Sequence, residues 1–145
     1  MIRELSPAET GLAAEAMLAL RPHLGDVAGL TRAIDAQRDD GYRLAAAFEP
    51  DREQAVAAAG FRVARCLAWG RFLYVDDLST LPAARGRGHA GGLLDWLAAE
   101  AVRTGCEQFH LDSGVAPDRA AAHRLYFNHG LRIAAYHFAA PVPPA

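Results

Sequence analysis

The sequence contains no lysine, and all 15 of its basic residues are arginine. Only two cysteines occur, Cys66 and Cys106, each in an apolar setting typical of a reduced, buried thiol and not of a disulfide or a nucleophile. No apolar run approaches the ~20 residues of a membrane span, and residues 1–4 do not resemble the start of a signal peptide. These absences predict a cytoplasmic protein that is not inserted in a membrane.

A strong charge of either sign is also missing. The formal net charge is −2, with 22% charged and 52% hydrophobic residues, which is typical of a globular protein with no general attraction for nucleic acid. The histidines His89, His110, His129 and His137 show no metal-ligand spacing, so we predict no metal site. A length of 145 residues suits one core. We therefore expect a single domain over residues 1–140 and an unstructured, proline-rich tail at residues 141–145.

The hydrophobic periodicity predicts a mixed α/β protein with the order β-α-α-β-β-β-α-β-α-β. A capping box at Ser6 and Glu9 begins the first helix, over residues 7–20, and Asp26 caps the second. Three strands with short links predict an antiparallel meander, and a helical crossover then predicts a parallel neighbour. The fold class is a central, twisted, mostly antiparallel mixed sheet flanked by helices. The strands are expected at residues 2–5, 42–48, 54–69 (with a bulge at Gly60), 72–79, 108–112 and 132–138, and the last helix at residues 118–129.

One stretch, residues 73–105, organises the rest of the chain. It reads as a strand, a loop rich in arginine and glycine, and a helix that ends at Gly105. The glycines let the loop backbone approach a ligand closely, and the helix N-terminus and two arginines favour an anion. We therefore predict a phosphate or pyrophosphate site. Its loop is Arg85, Gly86, Arg87, Gly88, His89, Ala90 and Gly91.

The same loop also fits the dinucleotide fingerprint, because Gly86, Gly88 and Gly91 have the spacing G-x-G-x-x-G and Asp112 follows about 20 residues later. Three features argue against a nicotinamide cofactor. A proline-containing segment separates the strand from the first glycine, the chain after Asp112 is too short for a second βαβ half, and the upstream residues do not alternate as βα units.

A better match is the pattern Arg/Gln-x-x-Gly-x-Gly/Ala, filled by Arg85, Gly88 and Ala90. With the preceding VDDLST and the ending in which Tyr126 stands four residues before Gly130, it resembles the acetyl-CoA loop of the GNAT acetyltransferase superfamily. The resemblance implies the GNAT fold and acetyl-CoA as co-substrate. It also implies a splayed fourth strand whose free backbone groups pair with the pantetheine arm. The implied cofactor-binding residues are Leu78, Ser79, Thr80, the loop from Arg85 to Gly91, Arg119 and His123. Arg119 departs from the family, since many relatives carry asparagine there.

The resemblance also implies the groups that move protons. Asp76 matches the acidic residue that some members use as a base through a water, with a simple cation-binding carboxylate as the alternative. Because alternate residues of a strand face opposite sides, we expect Asp76 on the face of Leu78 and Thr80, and Asp77 on the other. Tyr126 matches the proton-donating tyrosine. On the helical wheel it borders a predicted buried stripe of Ala121, Ala122, Leu125 and His129.

The predicted activity is transfer of an acetyl group from acetyl-CoA to a primary amine of a small molecule, a protein or a peptide, by direct attack in a ternary complex. The acceptor is not readable, because residues 21–41 carry no motif. Two alternatives are a non-catalytic acyl-CoA-binding module and, less well supported, a dinucleotide-binding protein. We also predict a homodimer, because Trp96 falls on the helix face opposite Leu93, Leu94 and Leu97, and because the final strand offers a pairing edge.

Overall fold

A computed structural model describes all 145 residues, 1–145. It has five strands, four α-helices and several short 3₁₀ turns, in an order that follows the prediction until the last element. No helix combines the length and apolarity needed to cross a bilayer. The strands are β1 (Ile2–Glu4), β2 (Arg43–Ala47), β3 (Ala57–Cys66), β4 (Gly70–Thr80) and β5 (Gln108–Leu111), and the helices are α1 (Ala14–Leu20), α2 (Val27–Arg38), α3 (His89–Arg103) and α4 (Ala120–Asn128).

The strands form one sheet in the order β1-β2-β3-β4-β5. The pairs from β1 to β4 are antiparallel, and β5 lies parallel to β4, as the meander and the crossover predicted. A central mixed sheet flanked by helices is therefore confirmed as the fold class. The shortness of the links decides this topology, since antiparallel neighbours need only a turn while a parallel neighbour needs a crossover.

Two apolar clusters cover the two faces of the sheet, and the alternation of strand residues separates them. Leu44 and Ala46 pack with α1 and α2, whereas Ala45 and Ala47 pack with α3. The middle strands are rich in alanine, so the helices that cover them can approach closely. Fully buried leucines on α3 complete the second cluster.

Local signals set the first two helices. Asp26 caps α2, its carboxylate accepting a hydrogen bond from the Gly29 N–H at 2.8 Å. The capping box at Ser6 and Glu9 is present as predicted. However, the first turns after it, Pro7–Ala13, are 3₁₀ and not α, and the α-helix begins only at Ala14.

A β-bulge interrupts the pairing of β3 with β4. Gly60 lies opposite Asp77 and Phe61 opposite Val75, so Asp76 is an extra residue in β4. The sequence placed a bulge at Gly60, and the additional residue is on the partner strand. Because one residue is inserted, the alternation of side chains reverses: Val75 and Leu78, three residues apart, both face the α3 cluster.

The chain separates into two compact units, Met1–Leu111 and Asp112–Ala145. The second unit contains α4, preceded by a 3₁₀ turn at Pro117–Arg119. None of the α4 residues is buried, so the predicted buried stripe of Ala121, Ala122, Leu125 and His129 is wrong. The helical wheel predicts which residues share one face of the helix, but it does not predict whether other residues cover that face.

The predicted strand at residues 132–138 is also absent. The segment makes no ladder, and Ile133, Tyr136 and Phe138 are 78–91% exposed. β-Branched and aromatic residues favour an extended backbone, but a strand needs a hydrogen-bonded partner, which depends on distant residues.

Two further expectations fail. Trp96 is not an unsupported surface residue: its ring meets that of Phe61 edge-on at 5.9 Å between centroids and packs on the α3 cluster. With the final strand also absent, the homodimer prediction loses both supporting observations. Both cysteines are free, as expected, but Cys66 is exposed at the end of β3 and not buried.

Candidate cofactor site

The glycine-rich loop joins β4 to α3 through two left-handed residues. Gly86 has φ = 77° and Gly88, which caps the helix N-terminus, has φ = 83°. Side chains disfavour this region, so the glycines themselves define the path of the loop. The first-turn N–H groups of α3 have no acceptor within the helix, and the positive end of the helix dipole adds to them. The loop therefore combines unpaired N–H groups with positive potential, which favours an anion over a cation.

The second half of β4 leads into this loop with one edge free of strand partners. β5 pairs with β4 only from Phe72 to Val75, while β4 continues to Thr80. On the other side Thr80 still pairs with Ala57. The backbone groups of residues 76–80 that point away from β3 thus have no strand to bond, which matches the splayed strand that the resemblance implied.

The three predicted residues on this half have different environments. Leu78 packs against the α3 cluster. Ser79 is buried, and its hydroxyl donates to the Ala16 carbonyl at 2.7 Å, so this side chain already has a hydrogen-bond partner within the fold. The Thr80 hydroxyl is buried and has no hydrogen-bond partner. An unpaired buried hydroxyl is costly, so the Thr80 hydroxyl is available to form a hydrogen bond with a polar ligand at the entrance to the loop.

The basic side chains of the loop are unequally engaged. Arg85 is exposed and makes no ion pair. Arg87 donates from Nη1 to both carboxylate oxygens of Glu49 at 2.8 and 3.0 Å, and His89 Nε2 lies 2.8 Å from Glu49 Oε1. Hydrogen bonds from Arg87 and then His89 hold the pKa of Glu49 below its usual value. The sequence analysis missed Glu49, because nothing local marks a residue 38 positions before Arg87 as its partner.

At the bulge, Asp76 and Asp77 join one polar network on the side of α1 and α2. Asp76 Oδ2 accepts from Arg62 Nε at 2.7 Å. Asp77 accepts from Arg21 Nε at 2.9 Å and from the Tyr42 hydroxyl at 2.8 Å. The expected separation of the two carboxylates onto opposite faces, with Asp76 beside Leu78 and Thr80, is therefore wrong, because the inserted residue breaks the alternation.

Tyr42 contacts Asp77 directly and Asp76 only through Arg62. Its ring lies under the Arg62 guanidinium at 5.4 Å, and burial, followed by the charge of Asp77, raises the pKa of its hydroxyl. A Cβ at Gly60 would lie 1.7 Å from that hydroxyl, so only glycine leaves room for it. A glycine inside a strand was the available signal for such a close approach.

The remaining predicted residues, Arg119, His123 and Tyr126, belong to the second unit. His123 Nε2 lies 2.8 Å from the Gly114 carbonyl and 3.1 Å from the Ser113 hydroxyl, so it braces the segment before α4. Tyr126 is half-buried, and its carbonyl accepts from the Leu131 N–H at 3.1 Å, just beyond the end of α4, where Gly130 has φ = 80°.

The family model for GNAT acetyltransferases matches residues 10–131, which is most of the chain. The chain therefore belongs to the GNAT acetyltransferase family, and it is an acyltransferase. The match includes the glycine loop and the Tyr126–Gly130 ending on which the resemblance was based. No curated protein matches the sequence significantly.

Solved structures of acetyltransferases share the fold over nearly their whole length. One from Trypanosoma brucei is 19% identical with a TM-score of 0.76, covering 98% of this chain and 99% of its own. An aminoglycoside acetyltransferase from an uncultured soil sample is 23% identical with a TM-score of 0.76, covering 99% and 98%. An acetyltransferase from Clostridium acetobutylicum, solved with acetyl-CoA, is 19% identical with a TM-score of 0.73, covering 97% and 95%.

Proposed function

We propose that this protein is an N-acetyltransferase that moves the acetyl group of acetyl-CoA to a primary amine in a ternary complex. The observation that carries the proposal is the open half of β4, which leads past the unpartnered Thr80 hydroxyl into the glycine loop. Together they offer backbone groups to an amide-containing arm and N–H groups to a pyrophosphate, in the order in which CoA presents them. The acetyl-CoA in the Clostridium acetobutylicum relative supports the same co-substrate.

The reaction needs no covalent intermediate on the enzyme. The amine nitrogen attacks the thioester carbon and forms the C–N bond, the C–S bond breaks, and the thiolate of CoA leaves and takes a proton, which balances the N–H proton that the nitrogen loses as the amide forms. An alkylammonium must first lose a proton, because its usual pKa is near 10.4. We assign Asp76 to accept that proton, directly or through a water. Its side chain is 29% exposed, against 14% for Asp77, which two partners hold in place.

We assign Tyr126 as the group that protonates the departing thiolate, on its place four residues before Gly130. The acceptor is proposed only as a primary amine of a small molecule or of a protein or peptide. The polar network at the bulge contains two carboxylates and two arginines. These charges balance, so the network does not strongly favour an acceptor that carries only positive charge. The arginines could also pair with an acceptor that has a carboxylate of its own.

The first test is a binding panel with the purified protein. CoA and acetyl-CoA should raise the melting temperature and NAD(P) should not; stabilisation by NAD(P) alone would contradict the proposal. Release of CoA from acetyl-CoA in the presence of a panel of amines then separates an enzyme from a non-catalytic acyl-CoA-binding module. The module would bind acetyl-CoA equally well and release no CoA with any amine.

A further inference from the structure

The Glu49 carboxylate stands just beyond the end of β2 and reaches across to the glycine loop. It contacts two of the three basic side chains of the loop, Arg87 and His89, at 2.8 Å each. Arg85 remains the only one of the three without an acidic partner. We call the contact of Glu49 with Arg87 and His89 the Glu49 clamp.

The clamp places a negative charge where the proposed ligand carries negative charge. Like charges repel, and the repulsion is stronger beside a protein surface than in bulk water because the effective dielectric constant there is lower. With its carboxylate ionised, Glu49 offsets part of the attraction that Arg87 would offer to a phosphate. The clamp therefore opposes a pyrophosphate in the loop unless the ligand displaces it.

We propose that Glu49 sets the affinity of the loop for acyl-CoA by competing with the ligand's phosphates for Arg87 and His89, while Arg85 provides the permanently available charge. The inference rests on the proposed function, because it assumes that CoA binds at this loop. Glu49 acts through other residues and is not a catalytic residue.

Competition is favoured over a supporting role by the way in which the loop is shaped. Gly86 and Gly88 hold its turn through their own left-handed backbone, and His89 is already the first residue of α3. The loop thus has its shape without the clamp. Arg87 is also 56% exposed, and exposed ion pairs are weak, so a ligand with several charges can replace Glu49 as its partner.

The test replaces Glu49 by glutamine, which keeps the size of the side chain and removes its charge. We expect Glu49→Gln to bind CoA about threefold to tenfold more tightly at low salt, as loss of one weak competing ion pair implies. KM for acetyl-CoA should fall with kcat unchanged, and the gain should shrink at ~1 M salt, where charges are screened within ~3 Å.

Glu53→Gln is the matched control, since it changes the net charge equally and Glu53 is exposed without an ion pair. It should leave CoA binding unchanged. In an Arg87→Gln background, Glu49→Gln should raise the affinity for CoA by a smaller factor, because one of the residues through which Glu49 acts is gone.

Three outcomes overturn the inference alone: unchanged binding in Glu49→Gln, weaker binding, or an equal gain in Glu53→Gln. Weaker binding in a variant that melts like the wild type would show that Glu49 positions Arg87 for the ligand. Absence of CoA binding by the wild type would instead overturn the proposed function, and this inference with it.

Discussion

Helices α3 and α4 begin from similar sequence patterns and have different surroundings. Both follow a strand-like segment and carry apolar residues at helical spacing. Five α3 residues are buried, including Leu93, Leu97 and Glu100, whereas no α4 residue is. The inner face of α3 is therefore part of the core, while its first turn lies at the glycine loop.

The difference indicates which substitutions should lower the stability of the protein and which should lower only its activity. A buried side chain has lost its hydration and gained many close contacts, so its removal appears in stability. A half-buried side chain such as Tyr126 can change with little loss of packing, so its removal should appear in activity. The following predictions test this division, from the largest expected effect to the smallest.

The open end of α3 is tested by Gly88→Glu. We expect CoA binding to be lost, because a carboxylate would stand where the pyrophosphate is proposed to bind and would oppose the field of the helix N-terminus. Gly88 has φ = 83°, so any side chain also adds backbone strain. Gly88→Asn is the control, since asparagine tolerates this region best after glycine. Titration with CoA measures both; unchanged affinity in the glutamate variant would place the ligand elsewhere.

The comparison of the two helices is tested directly by one substitution in each. Leu97→Ala should lower the free energy of unfolding by about 2–5 kcal/mol, because Leu97 is fully buried in the α3 cluster. Leu125→Ala, at a half-buried site of α4, should cost less than about 1 kcal/mol. Urea unfolding followed by circular dichroism measures both. Equal losses would show that α4 is as strongly packed as α3.

The chemistry proposed for α4 is tested by Tyr126→Phe. The ring and the helix remain and only the hydroxyl is removed, so kcat should fall by about 10²-fold or somewhat more. KM for acetyl-CoA should change little, because the lost interaction belongs mainly to the transition state. The melting temperature should stay close to that of the wild type. A wild-type kcat would show that water supplies the proton and that Tyr126 only contributes to packing.

The last prediction concerns Glu100, the charged residue buried on α3. Glu100 accepts from Arg103 and from Arg43, each at 2.6 Å, and these contacts, Arg103 first, lower the pKa of its carboxyl. A carboxyl whose pKa is lowered by folding stabilises the protein above its unfolded pKa of about 4.3, and this stability is lost as the pH falls through the folded value. Glu100→Gln should therefore cost about 1–2 kcal/mol at pH 7.

The pH dependence provides the check on that interpretation. The difference in unfolding free energy between wild type and Glu100→Gln should shrink as the pH falls below the unfolded pKa of about 4.3, and it should level off once the pH is below the lowered pKa of the folded carboxyl, where both states of the wild type are protonated. A difference that is the same at pH 7 and pH 3 would mean that the substitution acts through packing and not through charge.

Local patterns predicted most elements of the fold and the whole glycine loop. Asp26 capped its helix, and the loop formed where Gly86 and Gly88 stand, because capping and left-handed turns depend on a few neighbouring residues. The roles of Asp76, Tyr126 and the cofactor-binding residues remain predictions. The strand at residues 132–138 was wrong because pairing needs a partner that the segment does not itself specify.

The sequence by itself determined the order of the elements up to α4, the two faces of the regular strands and the chemistry available at the loop, since each follows from residues close together in the chain. Only the tertiary structure decided which groups meet. The bulge put Asp76 and Asp77 into one network, Gly60 made room for the Tyr42 hydroxyl, and Glu49 reached Arg87 from 38 residues away. These contacts depend on strand register and on packing between distant segments, which short-range patterns do not encode.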